Sequence, residues 1–268
     1  MTVQNSESPS PAPPDEFDRR LRRISRRGFA VGGAVALAGF GGWRWLVSRS
    51  EDSGIIWPLR RVLEFNEGLA RATFRESRLS PTFPIARARM PRVNGWIGID
   101  PAIDAAAWRL RVVGPAGERS FSLPVIKALP RVEMTTELRC IEGWSEVVRW
   151  AGARLGDLAA LSGLATRSGR APDQRERPVD LLGYAALETP GADYYVGLDM
   201  ASALHPQTLL CYEMGGQSLT PAHGAPLRLV IPVKYGIKSL KQIGTIRFTD
   251  HRPPDYWAER GYDWYAGH

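Results

Sequence analysis

The chain has 268 residues, of which 44% are hydrophobic and 24% charged, so its composition is that of a globular protein with a buried core. Its formal net charge is +7, but Arg residues crowd near the N-terminus and no zinc-finger, helix-turn-helix or RNA-recognition motif occurs. We therefore expect no nucleic-acid partner. The two cysteines, Cys140 and Cys211, exclude a disulfide framework and a CxxC metal motif. They could form one bridge, or one could be a functional thiolate and the other a core residue.

The N-terminal segment predicts export or membrane attachment. Residues 1–24 are expected to form a disordered N-region, first rich in Pro and Ser and then in Arg. Residues 25–47 open with SRRGF and carry no charge from residue 28 to residue 43, which is the basic-then-apolar order of an export signal. The opening resembles the twin-arginine signal, S-R-R-x-F. Because no small-residue cleavage site is evident, the segment could instead stay as an anchor, with Arg44 reaching the far interface.

The remaining chain predicts an α+β fold. Residues 48–107 are expected to extend a catalytic domain at residues 108–268, and Leu63–Arg75 to form a loop or short helix. Alternating apolar residues and turn signals predict strands at 108–114, 120–123, 135–139, 180–188, 227–232 and 243–250. Gly215-Gly216 predicts a hairpin that joins 209–214 to 217–219. Short helices are expected at 122–129, 155–162 and 198–203. Because these elements show no repeating βαβ order, a doubly wound sheet is not expected.

One candidate for chemistry is Cys140, in the run Arg139–Ser145 (RCIEGWS). A thiolate is a soft ligand for a redox metal, and the neighbouring Arg139 would favour the thiolate form. A single Cys considered alone is more often a small buried hydrophobic residue.

A second candidate is the Gly- and Pro-rich, basic stretch from Glu213 to Lys241. It contains Arg228 and, within eight residues, three lysines: Lys234, Lys238 and Lys241. Basic side chains beside Gly and Ser backbone can cradle an anion. The residues alone fit equally well a hairpin followed by a solvated basic turn.

Together, the motifs R-C-x-E-x-W-S, H-P-x-T-L and G-A-P-x-R-L-x-x-P-x-K-Y-G-x-K-x-x-K are similar to the molybdopterin-binding domain of the sulfite oxidase family. The match is greatest to its bacterial periplasmic branch, the methionine sulfoxide reductase catalytic subunit of the YedY or MsrP type, and covers about residue 108 to the C-terminus. The resemblance implies one α+β domain that holds molybdopterin and transfers an oxygen atom with two electrons, reducing S-oxide-type substrates. It also implies a monomeric catalytic subunit that receives electrons from a membrane haem b subunit.

The resemblance assigns roles to particular residues. Cys140 matches the metal ligand, and Arg139, Glu142 and Trp144 are expected to line the pocket around the metal. Eight residues are expected to contact the cofactor: Asn66, Glu67, Thr189, His223, Arg228, Ser239, Leu240 and Lys241. Since molybdopterin is inserted in the cytoplasm, the loaded protein would cross the membrane folded, through the twin-arginine translocase. It would then work in the periplasm or at the outer face of the cytoplasmic membrane.

One departure from the family bears on the substrate. Sulfite oxidases of animals and plants follow the metal Cys with C-x-G-N-x-R, whereas this chain has C-I-E-G-W-S. The change removes an Arg expected to hold an anionic substrate and places Glu142 nearby, so sulfite is not the expected substrate. Alternatives are a sulfite or other small-molecule oxidase of the same family, a membrane-anchored binding module that has lost catalysis, and a basic membrane-surface or nucleic-acid binder, which only the net charge suggests.

Overall fold

The computed structural model describes residues 16–52, 54–171 and 180–268. The chain divides into two units, residues 1–51 with 56–58, and residues 52–55 with 59–268. The first unit contains helix α1 (Glu16–Val47). Residues 16–24, which were expected to be disordered, are helical, because Arg is a good helix former and the apolar run that follows continues the helix. The prediction for residues 1–15 lies outside the described residues.

Helix α1 contains a 26-residue stretch, Arg22–Val47, that is long and apolar enough to cross a membrane by length and composition. None of its most apolar window is buried, so this part of α1 contributes to no folded core. It is the one helix with these properties among the described residues.

The second unit is built from short elements. Its further helices are α2 (Trp57–Thr73, which starts in the first unit), α3 (Leu123–Lys127), α4 (Leu155–Ser162) and α5 (Met200–Ala203). Short 3-10 turns lie at Ile85–Arg87, Pro221–His223, Gly236–Lys238 and Ala258–Arg260. The strands are β1 (Glu51–Asp52), β2 (Ile55–Ile56), β3 (Arg109–Gly114), β4 (Gly117–Ser122), β5 (Arg131–Arg139), β6 (Ser145–Arg154), β7 (Tyr184–Glu188), β8 (Tyr195–Asp199), β9 (Leu209–Met214), β10 (Gln217–Ser218), β11 (Arg228–Val230) and β12 (Thr245–Thr249).

Two five-stranded sheets organise this unit. Sheet A has the order β10-β9-β6-β5, with β11 also pairing with β9, and all its pairs are antiparallel. Sheet B has the order β4-β3-β12-β7-β8, with one parallel pair between β3 and β12. The mixed sheets and short helices confirm the predicted α+β class.

The main core draws on both sheets, since it joins Leu110 and Val112 of β3 to Leu210 and Tyr212 of β9. The alternate residues of β9, Leu209 and Cys211, belong to a second cluster. This alternation follows from the two-residue period of a strand, which points successive side chains to opposite faces. Sheet A is therefore covered on both faces.

Several local predictions are confirmed and others need correction. Gly215 and Gly216 both have positive φ, and they form the turn between β9 and β10, as predicted. The segment Leu63–Arg75, expected to be a loop or short helix, belongs up to Thr73 to the 17-residue helix α2. Strand β6 was not predicted, and β8 occupies part of a segment expected to be helical. Each pairs with the strand that precedes it in the chain, and β6 also pairs with the distant β9, so the tertiary context decides both strands.

Candidate functional site

A cavity of about 340 Å³ lies in the second unit and draws its walls from segments far apart in the sequence. They are residues 91–97, the turn after β5, Tyr194 before β8, the segment from His223 to Arg228, the turn at 236–241, and the C-terminal segment with Trp257 and Tyr262. Of the predicted site residues, seven line it: Cys140, Glu142, Trp144, His223, Arg228, Ser239 and Lys241. Its volume suits a ligand of cofactor size.

Cys140 enters the cavity from a tight turn between β5 and β6. Its N–H donates to the carbonyl of Trp144 at 2.9 Å, and the N–H of Gly143 donates to the carbonyl of Cys140 at 3.2 Å. Gly143 has φ +86°, a conformation that side chains disfavour. Cys140 and Cys211 are both free, so the bridge considered from the sequence is not formed.

The surroundings of Cys140 do not by themselves favour its thiolate. Burial is the main cause that raises the pKa of this thiol, and nearby Glu142 raises it further. The side chain of Arg139 instead pairs with Glu137 at 2.8 Å and lines another cavity. The predictions that Arg139 favours the thiolate of Cys140 and lines the pocket around the metal are therefore wrong. Successive strand residues point to opposite faces, which explains why the two neighbours diverge. A bound metal cation would deprotonate a coordinating thiol.

The mouth of the cavity carries a charged and aromatic group around Glu142. Its carboxylate accepts hydrogen bonds from Trp144 Nε1 at 2.9 Å and Asn94 Nδ2 at 3.3 Å, and Arg92 Nη2 lies 3.6 Å away. The bond from Trp144 is the first cause that lowers the pKa of Glu142. The Arg92 guanidinium stacks 4.3 Å from the Trp144 ring centroid. A negative charge is thus held beside Cys140, and Asn94 Nδ2 lies 3.8 Å from its Sγ.

Elsewhere in the cavity, Arg228 supplies a buried cation. Its guanidinium donates to the carbonyls of His223 at 3.1 Å and Ser239 at 3.3 Å and stacks on Trp150, while its Nε has no hydrogen-bond partner. Burial lowers the pKa of Arg228 to about 10. No ion pair with a carboxylate is found for it within the described residues. A buried guanidinium without an anionic partner is costly unless a ligand provides one.

Lys241 adds a second cation. Its Nζ donates to the carbonyls of Asn94 at 2.7 Å, Gly95 at 3.1 Å and Ala222 at 3.0 Å. Burial, followed by the charge of Arg228, lowers the pKa of Lys241 to about 8. Burial also lowers the pKa of His223, and the charges of Arg228 and Lys241 lower it further. The mutual repulsion of these groups favours an anion between them.

The backbone brings these cationic groups together. Gly224 has φ +94°, and a Cβ there would lie 2.8 Å from Cβ of Lys241, so only glycine allows this approach. The turn at 236–241 is tied to the C-terminal segment by the buried pair Lys238–Asp255, whose Nζ–Oδ2 distance is 2.5 Å. The hydroxyl of Tyr194 donates to the carbonyl of Ile237 at 2.5 Å. The walls of the cavity are therefore linked by buried polar contacts.

Besides Arg139, four predicted residues lie outside this cavity. Leu240 is buried in the main core, and Thr189 is buried beneath Gly98, where it accepts a hydrogen bond from the N–H of Tyr194 at 3.3 Å. Asn66 is exposed on α2, and Glu67 pairs with Arg252 at 2.7 Å. The N-terminal segment that does line the cavity is residues 91–97 instead.

Several lining residues carry no functional signal in the sequence: Arg92, Asn94, Tyr194, Trp257 and Tyr262. Asn94-Gly95 has the composition of an ordinary turn, and the aromatic residues have that of an ordinary core. These residues come together only when the chain folds around Cys140.

Comparison with known proteins identifies the family. Residues 97–257 match the family described as the oxidoreductase molybdopterin binding domain. The chain is 30% identical over 250 residues to a protein of Azospira oryzae named "Putative protein-methionine-sulfoxide reductase subunit YedZ1", covering 92% of this chain and 87% of that protein. Among solved structures it is similar to the sulfane dehydrogenase SoxCD from Paracoccus pantotrophus, with 18% identity and a TM-score of 0.46. That match covers 56% of this chain, and the chain spans 40% of the length of that solved chain.

The residues of the cavity fit the cofactor of this family. Molybdopterin has a phosphate, for which Arg228 and Lys241 supply two cations, and the free Nε of Arg228 still has a donor to offer. Cys140 supplies a soft sulfur ligand in the same cavity. The chain belongs to the sulfite oxidase family of molybdopterin-binding oxidoreductases, and it is a molybdenum-dependent enzyme.

Proposed function

We propose that this enzyme is a reductase of S-oxides, acting on methionine sulfoxide or a related neutral substrate. The observation that carries the proposal is Glu142, a carboxylate held at the mouth beside Cys140 by Trp144 and Asn94. The carboxylate of Glu142 is paired with Arg92 at 3.6 Å, so the described residues of the mouth offer sulfite no free cation, whereas a neutral S-oxide needs none and its polar S–O group can accept hydrogen bonds. The Azospira relative, which is named as a methionine-sulfoxide reductase subunit, supports the same substrate class.

The reaction requires two electrons and two protons: the sulfoxide becomes a thioether, and its oxygen leaves as water. When bound, the molybdenum cofactor supplies two-electron oxygen-atom transfer. Cys140 would hold the metal, and Arg228, Lys241, His223 and Ser239 would hold the pterin and its phosphate. Trp144 and the aromatic wall with Trp257 and Tyr262 would orient the substrate and limit the access of water to the metal.

A reductase also needs an electron donor, which must be present in the same cellular compartment. We propose that a membrane haem b subunit supplies the electrons, and that the catalytic unit lies in the periplasm or at the outer face of the cytoplasmic membrane. Helix α1 supports this location, since it contains the SRRGF run and its Arg22–Val47 stretch could serve as a signal or an anchor. The Azospira relative, named as a subunit, supports the presence of a partner.

The test uses the purified holoenzyme with a reduced viologen as the artificial electron donor. We expect turnover with methionine sulfoxide and none in the reverse assay, in which sulfite is offered together with an electron acceptor. Glu142→Arg should raise KM for a sulfoxide that carries a positive charge and lower it for one that carries a carboxylate. Glu118→Arg, an exposed carboxylate on β4, should change neither. Sulfite oxidation without reduction of any S-oxide would reject the proposal and support the oxidase alternative.

A further inference from the structure

Helix α2 is amphipathic, but its orientation is the reverse of that usual in a globular protein. Arg60 and Glu67 are buried against the domain, while three apolar side chains at helical spacing are exposed: Val62 by 54%, Phe65 by 72% and Leu69 by 58%. We call these three residues the α2 stripe. Residues three and four positions apart share one face of a helix, so the α2 stripe is continuous.

Polar contacts on the inner face hold α2 in this orientation. The guanidinium of Arg60 donates to the carbonyls of Ala258 at 3.0 Å and Tyr262 at 3.2 Å. Glu67 accepts a hydrogen bond from Arg252 at 2.7 Å and lies 3.4 Å from Arg71. Rotating α2 to bury its apolar residues would break these buried charged contacts, at a large cost. The α2 stripe therefore faces outward because of the way the domain is built.

We propose that the α2 stripe inserts into the surface of the lipid bilayer. An apolar face of this kind normally marks an interaction surface, and a helix can lie in the plane of a membrane with its apolar face among the acyl chains. Two observations favour lipid as the occupant. The candidate membrane span α1 ends at Val47, shortly before α2 in the sequence. In addition, two exposed basic residues directly after α2, Arg75 and Arg78, complement anionic headgroups, whereas Arg61 is paired with Glu64 within the helix.

The proposal connects the membrane to the cavity. Arg60 on the inner face of α2 binds the backbone of Tyr262, and the ring of Tyr262 lines the cavity. Insertion of the α2 stripe would thus fix the distance between the membrane surface and the cavity wall that contains Tyr262. The proposal depends on α1 remaining attached, but not on the identity of the substrate.

The test places a photoreactive benzoylphenylalanine at Phe65 in the full chain, reconstituted into vesicles of phosphatidylcholine and phosphatidylglycerol. A matched control carries the same group at Val125, which is exposed by 43% on α3. Since α1 alone could hold the chain on a vesicle, the readout is the adduct identified by mass spectrometry rather than sedimentation. We expect a lipid adduct from position 65 that is absent from position 125. Adding Val62→Ser and Leu69→Ser, which leave the inner-face contacts intact, should abolish it.

Other outcomes overturn the proposal. An adduct from position 65 to a second copy of the chain would make the α2 stripe a self-association surface. In native membranes, an adduct to a different polypeptide would assign the α2 stripe to a membrane subunit instead of lipid. Equal lipid adducts from positions 65 and 125, or none from either, would show that α2 has no specific contact with the bilayer.

Discussion

At the residue scale, Cys140 and Cys211 differ completely in their surroundings. Cys140 lines the cavity, whereas Cys211 is fully buried, its thiol donates to the carbonyl of Glu213 at 3.0 Å, and burial raises its pKa to about 11. We predict that Cys140→Ser removes one sulfur ligand from molybdenum and abolishes turnover while the pterin stays bound. Cys211→Ser should keep activity and cost about 1–3 kcal/mol of stability. X-ray absorption counts the sulfur ligands, and unchanged spectra in Cys140→Ser would refute ligation.

A second prediction concerns Arg228, which we assign to the pterin phosphate. Each charge-assisted hydrogen bond to the phosphate should contribute about 1.5–3 kcal/mol to cofactor binding. Arg228→Ala should therefore lower the pterin content of purified protein more than it lowers the free energy of unfolding. The control is Arg149→Ala, since Arg149 is partly exposed, lies outside the cavity lining and pairs with Glu133 at 2.7 Å. A full pterin content in Arg228→Ala would show that another group binds the phosphate.

The lowered pKa of Lys241 predicts two pH dependences of opposite sign. One concerns the stability of the cofactor-free protein, and the other concerns its affinity for the cofactor. Burial lowers its pKa from an ordinary value of 10.5 to about 8 when no anion is bound. The unfolded chain thus holds this proton more tightly, and the cofactor-free protein should gain stability as pH rises from 8 to 10.5. Phosphate binding instead requires the charged form, so cofactor affinity should fall as pH rises above about 8.

The measurement for Lys241 is pterin retention across this pH range, together with denaturation of the cofactor-free protein. Lys241→Arg is the control. Arg keeps its charge to a higher pH than Lys, so cofactor affinity should begin to fall at a higher pH, and the stability profile should lose the contribution of Lys241 but keep that of Lys234, whose pKa burial lowers to about 6. A cofactor affinity that stays constant in the wild type through the titration of Lys241 would exclude its charge from phosphate binding.

At the element scale, the pair Lys238–Asp255 joins the turn at 236–241 to the C-terminal segment. Both side chains are almost fully buried, and Asp255 also accepts the N–H of Gly197 at 3.1 Å. Asp255→Ala would leave Lys238 buried without a carboxylate partner, with the carbonyl of Gly197 left to accept from its Nζ, so we predict a loss of about 3–5 kcal/mol in the free energy of unfolding. The exposed pair Arg111–Glu118 is the control, because Glu118→Gln should cost about 1 kcal/mol or less. Equal losses from the two substitutions in denaturant titrations would contradict this structural role.

The elements also show how far local sequence determines this fold. Helix α4 and the Gly215-Gly216 hairpin could be predicted, because their signals lie within the elements themselves. Strand β6 could not, although it pairs with both β5 and β9, because burial on both faces of sheet A hides the alternation of a half-exposed strand. Helix α2 was underestimated because its buried face carries the charged residues Arg60 and Glu67, which is not the usual pattern of a helix that packs on a core.

At the scale of the whole molecule, the candidate site was only half predictable. Motifs identified Cys140, Arg228 and Lys241, because these residues carry the chemistry that a metal and a phosphate need. The remaining wall, including Asn94 and Tyr262, comes from opposite ends of the folded domain and has no local signature. The resemblance assigned Asn66 and Glu67 to the site, but the structure places both on α2, outside the cavity.

Export of the whole molecule gives a further prediction. We propose that Arg26 and Arg27 direct a folded, cofactor-loaded chain to the twin-arginine translocase. Replacing both by Lys should leave the charge and helix propensity of α1 unchanged but keep the protein in the cytoplasm. Cell fractionation with a pterin assay measures this, and Arg22→Lys with Arg23→Lys is the control. Normal export of the Arg26→Lys, Arg27→Lys variant would reject the signal.

The spread of the cavity along the chain also bears on its biosynthesis. Every lining residue is translated after Arg27, and Tyr262 is the last of them. On the ribosome, the proposed targeting residues therefore emerge first, whereas the receptor for the cofactor is finished only when Tyr262 has been added. A nascent chain would then expose its export signal long before it can bind the cofactor. To prevent export of a cofactor-free chain, the signal has to be masked during this interval, for example by a chaperone that binds α1 until the cofactor has been inserted.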